Sequence, residues 1–267
     1  MATPAHSAAP HGGGTGDPGR AWIRRFPPAA GNGTRLLCFP HAGGAAGTYF
    51  PFAKLLAPRI QVLGVQYPGR QDRRSEPPLA DIAELADRVV DSLGPTPDDR
   101  PLALLGHSMG ALVAFEVARR LEASGPVRPV RLFVSGRRAP SVPGTRPTLH
   151  DKDDAALLAE LRRLSGTEDE LLADEELVRL ILPALRSDYR AVETYRPAPD
   201  ARVACPVTVF TGDEDTHVTR DGALRWAGHT TGPCEVQTFQ GGHFFINSQR
   251  RAVAEAVAAR ITTAAPE

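Results

Sequence analysis

The chain has 267 residues and a formal net charge of zero, because 31 lysines and arginines balance 31 aspartates and glutamates. That length supports one large core, which favours a single α/β domain with an insertion. No basic tract stands out, which argues against a nucleic-acid partner. Cys38, Cys205 and Cys234 are far apart and odd in number, so they suggest neither a disulfide framework nor a metal site. This cysteine usage fits a reducing cytoplasm, and nothing in the composition points to a bound metal or cofactor.

Residues 1–20 differ in composition from the rest of the chain, since they are rich in Ala, Pro, Gly and His. They lack the charged start and the apolar core of a signal peptide, so we expect a disordered N-terminal tail. The domain is expected over residues 21–262. The last residues, 262–267, are similar in composition to the N-terminal tail, and we expect a second tail there. The apolar stretch over residues 101–118 is interrupted by Gly-His-Ser, so no membrane-spanning segment is predicted.

Short apolar runs alternate with helix-forming segments through the first half of the chain. This order favours a mostly parallel central sheet flanked by helices. In such sheets, ligands bind at the carboxyl ends of the strands. The predicted strands are 22–26, 35–39, 60–66, a run from residue 102 to Ser108, and 131–135, and the predicted helices are 48–56, 79–93 and the segment after Ser108.

Residues 137–199 interrupt this alternation with a Pro-rich loop and two helical stretches, 153–164 and 175–195. We interpret this helical insertion as a lid over the active site. The alternative is that the insertion simply adds to the core. The alternation then resumes with strands at 207–210 and 235–239, a helix at about 219–228, and a final helix that Ser248 caps and that runs to about residue 261.

A Gly-His-Ser-Met-Gly motif lies between an apolar strand and a helix within Leu102–Ala118. This G-x-S-x-G pattern in a strand–turn–helix context is typical of a nucleophile elbow, which exposes the hydroxyl of its central serine, Ser108. A side chain at Gly106 or Gly110 would collide with the backbone of so sharp a turn. The alternative is a chance Gly-Ser-Gly loop, because the five-residue pattern alone is weak.

A nucleophilic serine needs a general base, and that base needs an orienting acid. His243 is the candidate base among eight histidines, because it lies in a Gly-Gly-His loop after the last predicted strand. His107 is expected to pack beside the turn rather than to react. Position alone leaves the acid open, because Asp213, Glu214 and Asp215 share one loop after strand 207–210.

Backbone N–H groups are the expected donors to the oxyanion of a tetrahedral intermediate. By position these are the N–H of Met109, next to the serine, and the N–H of Ala42, in the Gly-rich loop after strand 35–39. Gly43 is the nearest alternative for the second donor. The competing interpretation of that loop is a plain Gly-rich turn. A phosphate-binding loop is not indicated, because no Gly-Lys-Ser/Thr follows.

Five short motifs occur together: Phe39–Gly44 (Phe-Pro-His-Ala-Gly-Gly), Tyr67–Arg70 (Tyr-Pro-Gly-Arg), Gly106–Gly110, Gly212–Asp215 (Gly-Asp-Glu-Asp) and Gly241–Phe245 (Gly-Gly-His-Phe-Phe). This combination resembles the type II thioesterases, stand-alone α/β-hydrolases that accompany modular polyketide and non-ribosomal peptide synthases. The similarity covers about residues 26–261 and includes the insertion at 161–164 and 182–195. It implies an α/β-hydrolase fold with a helical lid, and a triad of Ser108, Asp215 and His243.

The resemblance also implies an activity. Such an enzyme hydrolyses aberrant or stalled acyl groups from the phosphopantetheine arm of acyl carrier or peptidyl carrier proteins, which is an editing role. Carrier proteins are commonly acidic, so Arg70, Arg73 and Arg74, or Arg137 and Arg138, are candidate docking residues, with a solvated surface as the alternative. The competing functions are a small-molecule serine carboxylesterase or lipase and a non-catalytic binding module of the same fold.

Overall fold

The computed structural model describes residues 21–27, 33–94, 99–124, 127–144, 148–165 and 175–262. The predicted tail at residues 1–20 lies outside the described residues. Of the predicted tail at residues 262–267, only the backbone of residue 262 is described.

A seven-stranded sheet organises the described chain, in the spatial order β1-β3-β2-β4-β5-β6-β7. The short edge strand β1 runs antiparallel to β3, and every other neighbouring pair is parallel. This sheet confirms the predicted α/β class. The strands are β1 (Ile23–Arg25), β2 (Thr34–Phe39), β3 (Ile60–Val65), β4 (Leu102–His107), β5 (Pro129–Ser135), β6 (Val207–Gly212) and β7 (Cys234–Phe239).

Helices connect these strands. Within the described ranges, none of them is long and apolar enough to cross a membrane. The helices are α1 (Phe50–Leu56), α2 (Ile82–Leu93), α3 (Met109–Ser124), α4 (Asp154–Ser165), α5 (Glu175–Thr194), α6 (Arg220–Leu224), α7 (Phe245–Ser248) and α8 (Arg250–Thr262), with 3-10 turns at Ala46–Tyr49, Gln71–Arg73 and Arg225–His229.

The core is divided between the two faces of the sheet, because successive side chains of a strand point to opposite sides. In β2, Leu37 and Phe39 join the cluster that packs against α2 and α3. Leu36 and Cys38 join the other cluster, which packs against α1 and α8. All four side chains are fully buried. Strands buried on both faces explain why the runs in the sequence are continuously apolar rather than alternating.

Two helix boundaries differ from the sequence prediction. The helix expected from residue 79 begins at Ile82, because the Asp81 carboxylate accepts a hydrogen bond from the Glu84 N–H and caps it there. The expected cap of the last helix is wrong. Ser248 ends the short helix α7, its hydroxyl donates to the carbonyl of Phe245, and α8 begins only at Arg250.

Helices α4 and α5 lie between β5 and β6 in the chain, as the interruption of the alternation predicts. Leu157, Leu182 and Leu185 form a small apolar cluster of their own, separate from the two clusters of the sheet. Ala42, from the loop after β2, packs against this cluster. The inserted helices are therefore seated on the loop that was expected to supply an oxyanion donor.

Candidate active site

Ser108 occupies the turn between β4 and α3 with a positive φ of 54°. A non-glycine residue in this region is strained, and such strain is found where a nucleophile must be exposed at a sharp turn. A Cβ atom at Gly106 would lie 2.1 Å from the carbonyl oxygen of Gly110. A Cβ atom at Gly110 would lie 2.0 Å from the carbonyl oxygen of Phe39 on β2. The two glycines are therefore required sterically. The reason given from the sequence, a collision with the backbone of the turn, is confirmed for Gly106, whereas a side chain at Gly110 would collide with the end of β2.

The structure brings three of the predicted site residues into one hydrogen-bonded chain. The Ser108 hydroxyl lies 3.1 Å from Nε2 of His243, and Nδ1 of the same ring lies 2.8 Å from Oδ2 of Asp215. The Asp215 side chain is fully buried and that of His243 is nearly so. With Nδ1–H donating to the carboxylate, Nε2 is left to accept the serine proton, which is the arrangement of a nucleophile, a base and an orienting acid.

Of the three acids in the loop after β6, only Asp215 is buried. Burial raises the pKa of Asp215. The hydrogen bond and the electrostatic effect of His243, together with the hydrogen bond from the N–H of His217, outweigh burial and leave the pKa below its usual value. Asp213 is exposed and accepts a hydrogen bond from the N–H of Gly241, so it braces the histidine loop instead.

The loop after β2 is held beside the serine by the sheet itself, because Phe39 pairs with Gly106 across β2 and β4. Within this loop the N–H of Gly43 donates to Oδ2 of Asp188 on α5, at 2.8 Å. This hydrogen bond commits the N–H of Gly43, the alternative second donor, to a protein carboxylate. Ala42 and Ser108 line the same small cavity.

A cavity of about 60 Å³ lies over the serine, and a larger one of about 530 Å³ lies beside it. Tyr189 and Val192 of α5 line both cavities, so the inserted helix forms a wall of the site. The smaller cavity is lined by His41, Ala42, Ser108, Arg137, Leu161, Tyr189, Val192, His217, His243 and Phe244. Among the described residues, no group of three or more His, Cys, Asp or Glu side chains is placed to hold a metal ion.

Comparison with known proteins places this geometry in a family. Residues 34–261 match the family model for a thioesterase domain. The chain belongs to the thioesterase family. Thioesterase PikA5 of Streptomyces venezuelae is 52% identical to this thioesterase over 228 residues, which is 85% of this chain and 81% of that protein.

Solved structures agree with this assignment. The type II thioesterase BorB from the borrelidin biosynthetic cluster superposes with a TM-score of 0.84 at 49% identity, over 90% of this chain and 98% of that chain. YbtT, a type II thioesterase from the yersiniabactin NRPS/PKS biosynthetic pathway, superposes with a TM-score of 0.78 at 32% identity, over 91% and 99%. The resemblance to type II thioesterases and the α/β-hydrolase fold are confirmed, and this thioesterase is a thioester hydrolase.

Asp188 is the residue that the sequence analysis of this thioesterase missed. Its side chain is fully buried and accepts two hydrogen bonds from Arg70, at 2.7 and 2.9 Å, besides the one from Gly43. A signal was present, because Leu185, Asp188 and Ala191 repeat at a helical spacing of three and all lie on the buried face of α5. An aspartate in such a stripe indicates a buried polar partner.

The proposed carrier-docking role is wrong for two of the five arginines. Arg70 is buried and held by Asp188 and by the carbonyl of Gly44. Arg73 is also buried, where its guanidinium lies over the ring of Trp22 and donates to Glu76. Neither guanidinium is therefore available to an acidic partner at the surface.

Two further histidines of this thioesterase lie close to His243. His107 is buried, bonds to the Ser135 hydroxyl and packs on the His243 ring, so its packed position beside the turn is as expected. Burial, together with the electrostatic effects of His243 and Arg70, lowers the pKa of His41 from 6.5 to about 4. Burial also lowers the pKa of His107 well below its usual value. Both rings are therefore neutral at pH 7.

These lowered pKa values predict an acid-sensitive fold. The unfolded chain takes up protons at His41 below about pH 6.5, whereas the folded chain does so only near pH 4, so stability is lost as the pH falls through this window. We expect His41 alone to reduce the free energy of unfolding by roughly 2 kcal/mol between pH 7 and pH 5. Urea denaturation at both pH values measures this loss. The His41→Phe variant keeps a ring against Phe244, and an equal loss in that variant would contradict the assignment to His41.

Proposed function

We propose that this thioesterase removes aberrant or stalled acyl groups from the phosphopantetheine arms of acyl and peptidyl carrier proteins, an editing reaction of polyketide and non-ribosomal peptide synthesis. The observation that supports it most is the Ser108–His243–Asp215 chain beneath a cavity walled by inserted helices. The similarity to BorB and YbtT, which are type II thioesterases of biosynthetic pathways, points to the same class of substrate.

In the first half of the proposed reaction, the Ser108 oxygen attacks the thioester carbon while Nε2 of His243 takes the hydroxyl proton. Asp215 stabilises the imidazolium that forms, through the hydrogen bond at Nδ1. The oxyanion is held by the N–H groups of Met109 and Ala42, each worth about 10²–10³ in rate. Gly43 is not assigned this role, because its N–H donates to Asp188.

The intermediate then collapses, the carbon–sulfur bond breaks, and His243 returns the proton to the departing pantetheine thiolate. The acyl group is left as an ester of Ser108. In the second half, Nε2 of His243 takes a proton from water, and the hydroxide attacks the ester carbonyl. This intermediate collapses, the bond between the acyl carbon and the Ser108 oxygen breaks, His243 returns the proton to that oxygen, and the acid is released. The same base therefore serves both halves of the reaction.

A tethered substrate explains the shape of the site. The thioester lies at the end of a flexible arm, so it enters a cavity that the folded surface of the carrier protein cannot enter. The larger cavity, of about 530 Å³, is of the size that small-molecule sites have. We place the enzyme in the cytoplasm with its carrier proteins, and its three cysteines are free, as a reducing compartment requires.

The test is a comparison of thioester with oxygen ester. We expect kcat/KM for acetyl and propionyl groups on a phosphopantetheinylated carrier protein to exceed kcat/KM for the matching p-nitrophenyl esters. The same loaded carrier incubated without enzyme is the control for background hydrolysis. A clear preference for the oxygen esters would instead identify a small-molecule carboxylesterase, and the proposal would be wrong.

A further inference from the structure

The inserted helix α4 contacts the loop that carries the orienting acid. Near the end of α4, Nη1 of Arg163 donates to the Thr216 hydroxyl at 2.9 Å, and Nη2 donates to Nε2 of His217. Oε1 of Glu160, one turn earlier on the helix, lies 3.3 Å from the same ring nitrogen. Thr216 and His217 directly follow Asp215 in the chain. The insertion therefore holds the acid loop as well as walling the cavities.

The guanidinium of Arg163 is fixed in this position by Glu160. Its Nε and Nη2 donate to the two carboxylate oxygens of Glu160, both at 2.8 Å. A two-point pair of this kind sets the plane of the guanidinium, which leaves Nη1 to donate to Thr216. The Arg163 side chain is 39% exposed, so water screens the pair and it adds little to the stability of the fold. The pair therefore acts mainly through its geometry.

The contacts of α4 continue to the triad through His217. The N–H of His217 donates to Oδ1 of Asp215 at 2.8 Å, and Oδ2 of the same carboxylate lies 2.8 Å from Nδ1 of His243. The ring of His217 also packs on the ring of His243, with 5.1 Å between their centres. A displacement of His217 would therefore move both the acid and a surface on which the base packs.

The backbone of the acid loop restrains Asp215 only weakly. Its N–H lies 3.3 Å from the carbonyl oxygen of Gly212, and its carbonyl oxygen lies 3.4 Å from the nitrogen of Val218. Both distances exceed the roughly 3 Å of a typical N–H···O hydrogen bond. The 2.9 Å hydrogen bond from Arg163 to Thr216 therefore supplies restraint that the backbone of the loop does not.

We propose that Arg163 is a positioning residue for the hydrolysis. It acts through Thr216 and His217, and it keeps the Asp215 carboxylate against the base only while α4 lies over the site. Hydrolysis is thereby coupled to the position of the insertion. This inference rests on the triad of the proposed function and goes beyond it. A contact between Arg163 and an acidic carrier protein is the competing role, and it would affect carrier-bound substrates alone.

The experiment measures kcat and KM of Arg163→Met with a propionyl carrier protein and with p-nitrophenyl propionate. We expect kcat to fall by about 10- to 100-fold for both substrates, because a displaced acid costs a factor of this order, while KM changes by less than about 3-fold. Arg163→Lys should recover part of kcat, since an ammonium can still donate to Thr216. Arg162→Met is the matched control, because Arg162 is an exposed arginine of the same helix, and it should leave kcat unchanged.

Two further measurements separate positioning from a merely structural role. The double variant Arg163→Met with Thr216→Val should lose little more kcat than Arg163→Met alone, because both changes break the same contact. The far-downfield NMR signal of the proton between His243 and Asp215 should broaden or disappear in Arg163→Met and persist in Arg162→Met. The urea midpoint should be the same in these two single variants.

A loss confined to the carrier-bound substrate would make Arg163 a docking residue and overturn the inference. Additive losses in the double variant, or a lowered kcat with an unchanged NMR signal, would also overturn it. Failure of the proposed function is a separate outcome. If no carrier-bound thioester is hydrolysed, the proposed function fails, while the p-nitrophenyl ester and the NMR signal still decide the role of Arg163.

Discussion

Replacing Ser108 with alanine is expected to lower kcat for acyl-thioester hydrolysis by about 10⁴- to 10⁶-fold, since nucleophile, base and acid act as one unit. The fold should survive, because the substitution removes only an oxygen, and backbone contacts hold the turn. The Ser108 N–H donates to the carbonyl of Ser135, and its carbonyl accepts from Ala111. Stopped-flow release of the free thiol measures the rate, and circular dichroism checks the fold.

A trapping experiment distinguishes loss of the nucleophile from loss of binding. Rapid quenching followed by mass spectrometry should show an acyl adduct on Ser108 in the unmodified enzyme and none in Ser108→Ala. Ser92→Ala is the control, because Ser92 is a partly exposed serine of α2 whose hydroxyl donates within its own helix. Residual hydrolysis above about one hundredth of the normal rate, or an adduct on another residue, would refute the assignment of Ser108 as the nucleophile.

Removing the carboxylate of Asp188 should have the largest effect on stability. Asp188→Ala leaves the buried guanidinium of Arg70 without its partner, and breaking a buried pair in this way costs roughly 3–5 kcal/mol. Urea denaturation measures the loss. Asp154→Ala breaks the exposed pair between Asp154 and Arg186 on the same inserted helices, and it should cost no more than about 1 kcal/mol.

The Asp188 carboxylate also has an effect on the reaction, through Gly43. Without the Asp188 carboxylate, the N–H of Gly43 has lost its acceptor on α5. The loop that carries the N–H of Ala42 is then free to shift, and a shift of about 1 Å costs about 10²-fold in rate. The double variant Arg70→Met with Asp188→Leu separates the two roles. It should recover most of the stability by replacing a buried pair with apolar groups, and kcat should remain low. Recovery of kcat together with stability would show that Asp188 is only structural.

Much of the architecture was predictable because it depends on local patterns. Apolar runs bounded by glycine or proline located the inner strands β2 to β6, and shorter mixed runs located the edge strands β1 and β7. Helical spacing located α2, α4 and α5. The start of α2 at Asp81 and the break before α8 were harder to predict from the sequence, because a side-chain hydrogen bond decides the first and a single backbone turn decides the second. Helix ends depend on such individual contacts, whereas apolar periodicity extends over many residues.

The order of the site residues along the chain was also readable, because loops at the carboxyl ends of parallel strands meet at one edge of the sheet. The choice between Asp213 and Asp215 was not readable from position, since both lie in the same loop. In the structure Asp215 turns inward to His243 and Asp213 turns to the backbone of Gly241. The direction of a side chain within a loop is set by packing from other segments, which no local pattern records.

The sequence by itself determined the sheet, the elbow at Ser108 and the family, because these depend on steric rules and motifs within short segments. Only the tertiary structure decided which charges are paired. Arg70 looked like a surface residue, yet it is buried against Asp188, a residue 118 positions away. Arg137 looked equally exposed, yet it lines both cavities of the site and has no carboxylate partner among the described residues. A charge is paired or unpaired through contacts between distant segments, and those contacts exist only in the folded chain.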